Sequence, residues 1–234
     1  MNRETTNRIR FVLEDLLPPA VRDSALFRSA ARFAWGGHID RLAAFRERAP
    51  FLTDAEYEAL YRDHPRVHEG TDNSQACVDR IVAETVGESV CDVGCGTGAL
   101  IRRIREARGG EGRHVGVDFV VEDAAAIPGV EYVAARVEEL PFEDRAFDTV
   151  ICTHVIEHLL DYRRAIAELR RVAARRLIVV VPREREYRYS FNPHFNFFPY
   201  THSFLRAMHP VPTSHVCVDI GRDIYYREDR EDAA

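Results

Sequence analysis

Glu88-Ser-Val-Cys-Asp-Val-Gly-Cys-Gly-Thr-Gly98 is the stretch on which the reading of the fold turns. A short β-branched run, 88–93, ends in three glycines spaced by one residue: Gly94, Gly96 and Gly98. Glycine tolerates the left-handed backbone of a tight turn and has no Cβ to hold a ligand away, so a flat or polar molecule can approach this loop closely. The next β-branched run, 113–118, ends at Asp118, about 20 residues beyond the loop, where a carboxylate in such an arrangement accepts both hydroxyls of a ribose. Taken alone, the loop is also a tight turn followed by an Asp helix cap. The order strand, loop, helix, strand, acid favours a nucleotide-like ligand.

Outward from this loop the texture alternates. Strands are expected at 130–134, 147–153 and 176–181 with helices between them, the pattern of a parallel sheet covered on both faces. Residues 215–220 and 224–227 around Gly221 read as an antiparallel hairpin added at a sheet edge. Upstream of residue 75 the periodicity is helical: Ile9, Val12, Leu13, Leu16 and Leu17 recur at three-to-four spacing, and Gly36-Gly37 stops a helix over 25–35. Thr53-Asp-Ala-Glu56 reads as a capping box that opens another helix. The expected domains are a helical leader or lid, 1–74, and a ligand-binding core, 75–234.

Bulk properties narrow the function. The 234 residues suit one α/β domain with embellishments. A net charge of −6, with both signs interspersed, offers no footprint for a phosphate backbone, so nucleic acid is not expected as a partner. The pairs Arg102-Arg103, Arg170-Arg171 and Arg175-Arg176 read as solvated helix faces. Five cysteines without CxxC spacing read as reduced thiols. The first residues are charged where a signal peptide needs an apolar core, and the apolar run Leu177–Val181 is too short to span a bilayer; the expectation is a cytoplasmic protein without a membrane partner.

The glycine loop does not by itself separate a methyl donor from NAD, because Gly94, Gly96 and Ala99 also satisfy a relaxed dinucleotide pattern. The segments VCDVGCGTG (90–98), GVDF (116–119) and LPFEDRAFDTVICTHVIEHLLDYRRAIAELRRV (140–172) do separate them: in order and spacing they resemble the class I S-adenosylmethionine-dependent methyltransferases. The resemblance implies an α/β, Rossmann-like seven-stranded, mostly parallel sheet with a C-terminal antiparallel hairpin and an N-terminal helical leader. It implies S-adenosylmethionine as cofactor, with Asp92, Gly94, Gly96 and Gly98 along its methionine end, Asp118 on the ribose, and Val137 and Glu138 along the adenine. Two departures stand out. Arg136 occupies the place of an Asp that accepts from the adenine amine, which leaves the Arg to stack on the ring or to point into water. Ala173-Ala-Arg-Arg176 replaces a Gly-Gly turn.

Methyl transfer needs an aligned nucleophile, exclusion of water and, for a hydroxyl, removal of its proton. At the end of the fourth strand, Cys152-Thr-His154-Val-Ile-Glu157-His158 places His154, Glu157 and His158 on one side of a helical turn by their spacing. His154 and His158 are the candidate catalytic bases, with His154 first off the strand. The segment is similar to ubiquinone-pathway O-methyltransferases, in which an acid followed three and four residues later by Glu and His holds magnesium. Glu157 and His158 match as metal ligands, while His154 stands in place of the acid; the alternative is a structural hydrogen bond at a helix start. The aromatic segment 182–199, with Tyr187, Tyr189, Phe191, His194, Phe195, Asn196, Phe197 and Phe198, reads either as core or as the wall of an acceptor pocket. Tyr57, Tyr61, His64 and His68 are placed to close over it.

The leader and aromatic segment also resemble actinobacterial sugar O-methyltransferases. The expected activity is therefore methylation of a hydroxyl on a small acceptor, a saccharide first, by a protein that forms a homodimer. Carbon or nitrogen acceptors come next. A nicotinamide oxidoreductase and a non-catalytic donor-binding protein are the rivals.

Overall fold

The computed structural model describes residues 13, 16–53, 55–57, 59, 70–121, 127–189 and 192–230. Its centre is a seven-stranded sheet in the order β3-β2-β1-β4-β5-β7-β6. The strands are β1 (Ser89–Val93), β2 (Arg113–Asp118), β3 (Val130–Ala134), β4 (Phe147–Thr153), β5 (Ala173–Pro182), β6 (His215–Ile220) and β7 (Asp223–Asp229). The first five run parallel; β7 pairs antiparallel with both β5 and β6. The sheet matches the sequence expectation, except that β5 begins at Ala173, directly after the preceding helix. The missing Gly-Gly turn is replaced by an early strand start with a register shift against Phe147 and Thr149.

Two-residue periodicity divides the core between the faces. Cys91, Val93, Val150, Cys152, Leu177, Val179 and Val181 pack on one side, against Ala165, Ile166, Leu169 and Val172 of a helix over Tyr162–Val172. Val90, Ile151, Ile178, Val180 and Tyr225 pack on the other, against Cys77, Val78, Ile81, Leu100, Ile101 and Ile104. Those partners lie on helices Gln75–Glu84 and Ala99–Ala107. Each large aliphatic group so buried stabilises the sheet by about 1.5–3 kcal/mol relative to exposure. Leu177–Val181 of β5 is apolar and buried on both faces, as a parallel strand with helices on each side requires.

In chain order the helices are α1 (Pro19–Arg22), α2 (Ala25–Trp35), α3 (His38–Arg48), α4 (Gln75–Glu84), α5 (Ala99–Ala107), α6 (Tyr162–Val172) and α7 (Thr201–Ala207). Ser24, Ser74 and Asp161 cap α2, α4 and α6 by accepting from Phe27, Cys77 and Arg164 amides. The box at Thr53 forms as expected: its amide and hydroxyl donate to Glu56 at 2.9 and 2.8 Å, and the Glu56 amide returns a bond to Thr53 Oγ1. Among the described residues no helix is long and apolar enough to cross a membrane. Ile9, Val12, Tyr61, His64 and His68 of the expected leader lie outside the described residues.

The expectation for the arginine pairs is corrected in part. Arg102 and Arg103 are exposed on α5. Arg170, however, reaches Glu228 on β7 at 2.7 and 2.8 Å and the Met208 carbonyl at 2.8 Å. Arg171 bonds Glu168 and the carbonyls of Leu140 and Phe142, pinning the loop before β4 onto α6. Arg176 pairs with Asp229 at 2.5 Å. Periodicity put these side chains on a helix or strand flank; it could not show that the edge hairpin and the loop before β4 supply acceptors there.

Candidate active site

Strand order reverses at β1 and β4, where connections leave the sheet in opposite directions and open a crevice beyond the carboxyl ends of the strands. The glycine loop emerges there. Gly94, Gly96 and Gly98 have φ of +79°, +55° and +78°, the left-handed region that the sequence reading required. The Gly94 and Cys95 amides donate to the Val117 carbonyl at 2.7 and 3.0 Å, and the Gly96 amide donates to Asp118 Oδ2 at 2.8 Å. The loop is thereby fastened to the end of β2. Asp118 Oδ1 accepts from the Val120 amide at 3.2 Å, so the carboxylate is held at the rim of the crevice with lone pairs to spare.

Asp92 sits below the loop, 1% exposed, and neither of its oxygens accepts a hydrogen bond among the described residues. Burial, together with the nearby Asp118 charge, pushes its pKa up to about 7. Val137 is packed into the core at 7% exposure. Glu138 lies beside Arg136, with 3.5 Å between Oε1 and the guanidinium. The Arg136 side chain is partly exposed, and this contact sets its charge beside an acidic neighbour in its own loop.

The loop after β4 corrects one geometric expectation. His154, Glu157 and His158 do not share a side of an α-helical turn: His154 has φ +56° and precedes a single 3-10 turn, Ile156–His158. The His154 imidazole lies between two carboxylates, with Nδ1 3.5 Å from Glu157 Oε1 and Nε2 3.7 Å from Asp223 Oδ1. Burial works to lower its pKa, but Glu157, Asp223 and Asp72 outweigh burial and raise it. His158 goes the other way: burial and the neighbouring His194 bring it down to about 4.

A third group joins Glu157 and His158 from a distant segment. One ligand-capable atom each of Glu157, His158 and His194 lies within 4.8 Å of the others. Asn196 makes this convergence, donating to the Ile156 and Leu159 carbonyls at 2.9 and 2.7 Å while the Phe195 and Asn196 amides donate to the Glu157 carbonyl. His194 in turn bonds Glu184 Oε2 through Nδ1 at 2.7 Å. The sequence places His194 and Asn196 in the aromatic segment, as core or pocket wall and not as partners of Glu157; it gives no sign of Glu184 or Asp223 at this site.

Part of the aromatic segment is core. Tyr187 and Phe198 are buried, whereas the Phe195 ring lies tilted against Phe45 of α3 at 5.2 Å and against Tyr57 at 6.2 Å between centroids. The Tyr57 hydroxyl donates to the His158 carbonyl, and Arg46 bonds the Tyr187 carbonyl at 2.7 Å. The described part of the leader therefore rests on the same segment that carries His194.

Residues 91–180 match the family described as Methyltransferase domain. The 2-phytyl-1,4-naphtoquinone methyltransferase of Trichormus variabilis is 34% identical over 96 residues, covering 37% of this chain and 42% of the relative. The demethylmenaquinone methyltransferase of Bacillus cereus is 32% identical over 102 residues, covering 40% and 43%. The chain thus spans less than half the length of these curated relatives. Among solved structures, a SAM dependent methyltransferase from Aquifex aeolicus has a TM-score of 0.53 at 18% identity, covering 75% of this chain and 98% of its own. Magnesium protoporphyrin IX methyltransferase from Synechocystis with bound SAH has a TM-score of 0.51 at 18% identity, covering 76% and 95%. At these identities the structures share the fold.

Proposed function

We propose, for a chain whose residues 91–180 form a methyltransferase domain of the class I S-adenosylmethionine-dependent type, that it transfers a methyl group to a hydroxyl of a small acceptor, with a saccharide the first candidate. The observation that carries the reading is the left-handed glycine loop tied through Gly96 to Asp118 at the crevice of the sheet. The residues present fit the donor: the buried Asp92 carboxylate below the loop, which has no close side-chain partner among the described residues, supplies negative charge, and Asp118 offers acceptors at the rim. Asp92, Gly94, Gly96 and Gly98 would hold its methionine end, Asp118 its ribose, and the Val137-Glu138 segment its adenine. S-adenosylmethionine, when bound, supplies an electrophilic methyl group.

The remaining work falls to the chain. His154 takes the proton from the acceptor hydroxyl at an imidazole nitrogen, and the imidazolium so formed is stabilised by Glu157 and Asp223 on either side. Its raised pKa makes it the stronger base; His158, held near 4, is the weaker alternative. Tyr57, Phe45 and Phe195 exclude water from the outer side. Magnesium, expected at Glu157 and His158, fits poorly, because the third converging group is an imidazole where that ion prefers oxygens. A cytoplasmic setting is supported by five free cysteines, four of them buried. A homodimer is supported by Leu26 and Phe33, one side of α2, at 80% and 96% exposure.

A carbon acceptor is the second reading, favoured by the quinone substrates in the names of the two relatives. The test is incubation with S-adenosylmethionine and a panel of saccharides, phenols and quinols, followed by mass spectrometry and NMR of the product. A single methyl on oxygen is the expected result. A methyl on carbon selects the second reading, and calorimetric binding of NAD without any response to the methyl donor overturns both.

A further inference from the structure

Glu157 is 1% exposed, yet neither carboxylate oxygen accepts a hydrogen bond among the described residues. A buried carboxylate held by the His154 imidazole through a long contact, and by no closer bond, has room for a further partner. His154, at 3.5 Å, is farther than the about 2.7–2.9 Å of a good charge-assisted bond. The company Glu157 keeps indicates which. His158 and His194 bring their rings together edge to face at 4.6 Å, and one nitrogen from each converges with a Glu157 oxygen within 4.8 Å.

We infer that Glu157, His158 and His194 bind a transition-metal dication of the zinc type, with Glu184 as the outer partner that orients His194. Three features carry this. The donor set, two imidazoles and one carboxylate, is that of zinc and its transition-metal neighbours; magnesium and calcium take oxygens. Each imidazole also has an oxygen acceptor: His194 Nδ1 bonds Glu184 Oε2 at 2.7 Å, and His158 bonds the Pro193 carbonyl. Such an acceptor fixes a ring, and it stands behind a metal-bound histidine when the metal takes the other nitrogen. Glu184 is 5% exposed and is itself held by Asn192 at 3.1 Å to both oxygens, so the outer layer is built too.

The geometry needs a modest contraction. Tetrahedral ligands at about 2.0–2.1 Å from zinc lie roughly 3.3 Å apart. The 4.8 Å span closes by small χ rotations of three side chains around a backbone that Asn196 already clamps. Three protein ligands leave a fourth position for water or another small oxygen, nitrogen or sulfur ligand.

The binding is measured without donor or acceptor, on the untagged full chain freed of metal by chelator dialysis. Zn(II), Co(II) or Mg(II) is added, loosely held ion is removed by desalting, and metal content is read by plasma mass spectrometry. The expected result is close to one Zn(II) per chain, retained Co(II) with visible absorption bands of low coordination number, and no retained Mg(II). Glu157→Gln and His194→Ala, checked for folding by circular dichroism, should fall to background, and His158→Gln gives a further ligand variant if either fails to fold. Glu184→Gln should bind roughly 10–100-fold more weakly. His215→Ala, on the edge strand, should bind like the parent. Absence of retained zinc in the parent chain overturns the inference, as does equal zinc in folded ligand variants or a preference for Mg(II).

Discussion

Replacing Gly94 with alanine tests how the donor loop and the acceptor loop are locked together. The added Cβ would stand 2.1 Å from Val155 Cγ2, and the backbone at φ +79° is one that L side chains rarely adopt. The left-handed conformation alone costs about 1–2 kcal/mol for a residue with a Cβ. The overlap adds an over-packing term of about 1–3 kcal/mol, because Val155 packs against the main core and cannot simply rotate into water. Gly94→Ala should therefore lose about 2–5 kcal/mol in urea unfolding at an unchanged m-value. Removing the clash from the other side separates the terms: in Gly94→Ala/Val155→Ala the over-packing part disappears and the backbone part stays. The double variant should be more stable than the sum of the singles predicts by about 1–3 kcal/mol. Turnover should follow, since a shift of about 1 Å in a positioning loop lowers rate by about 10²-fold. Additivity of the two substitutions within about 0.5 kcal/mol would refute the claim that Val155 and the loop are in contact.

Asp118→Ala should weaken donor binding by about 1.5–3 kcal/mol for each charge-assisted bond lost, read by calorimetry; a folded variant with parental affinity would remove the ribose role. Asp92, raised to about 7, keeps a proton in the folded protein over a pH window in which the unfolded chain has already lost it. Stability owed to this group is thus present at low pH and declines as pH rises toward 7, a decline that Asp92→Asn should abolish. The cationic donor favours the ionised form, so its affinity should rise between about pH 6 and about pH 8 with release of a proton; calorimetry in two buffers reads both, and pH-independent binding would count against Asp92 as a donor contact. His154→Ala should lower turnover by roughly 10²–10⁴-fold with donor affinity intact, and His158→Ala less so unless metal is bound. A fully active His154→Ala enzyme would leave positioning as the source of rate.

Much of the scaffold was legible because it is written in local pattern. Strands 113–118, 130–134, 147–153 and 215–220 fall where β-branched runs put them, and the left-handed glycines of the loop sit where spacing placed them. Motif residues without a chemical role are harder to read as such: Asp148, within the family-like segment, spends its carboxylate on the Glu88 and Ser89 amides and the Ser89 hydroxyl, holding the start of β1. What spacing could not give was any partner supplied from across the sheet. Helical spacing within 154–158 grouped His154 with Glu157 and His158, but a left-handed φ at His154 turned its ring toward Asp223, the first residue of an antiparallel strand that returns to the sheet from the chain's far end.

His194 also reaches Glu157 and His158, and the reason is backbone rather than side-chain chemistry. A 3-10 turn leaves carbonyl lone pairs of Ile156, which accepts the Leu159 amide at 3.3 Å, and of Glu157 and Leu159 open to partners from outside the turn. Asn196 and the Phe195 amide satisfy all three, which draws residues 194–196 down onto the turn. The same irregularity that breaks the helical spacing therefore creates the docking edge for the segment that completes the cluster. Asn196→Ala should accordingly loosen His194 from Glu157 without touching any ligand atom, so that metal retention falls although both histidines and the glutamate remain. Retention equal to that of the parent would mean that the cluster is held by its own side chains and not by this edge.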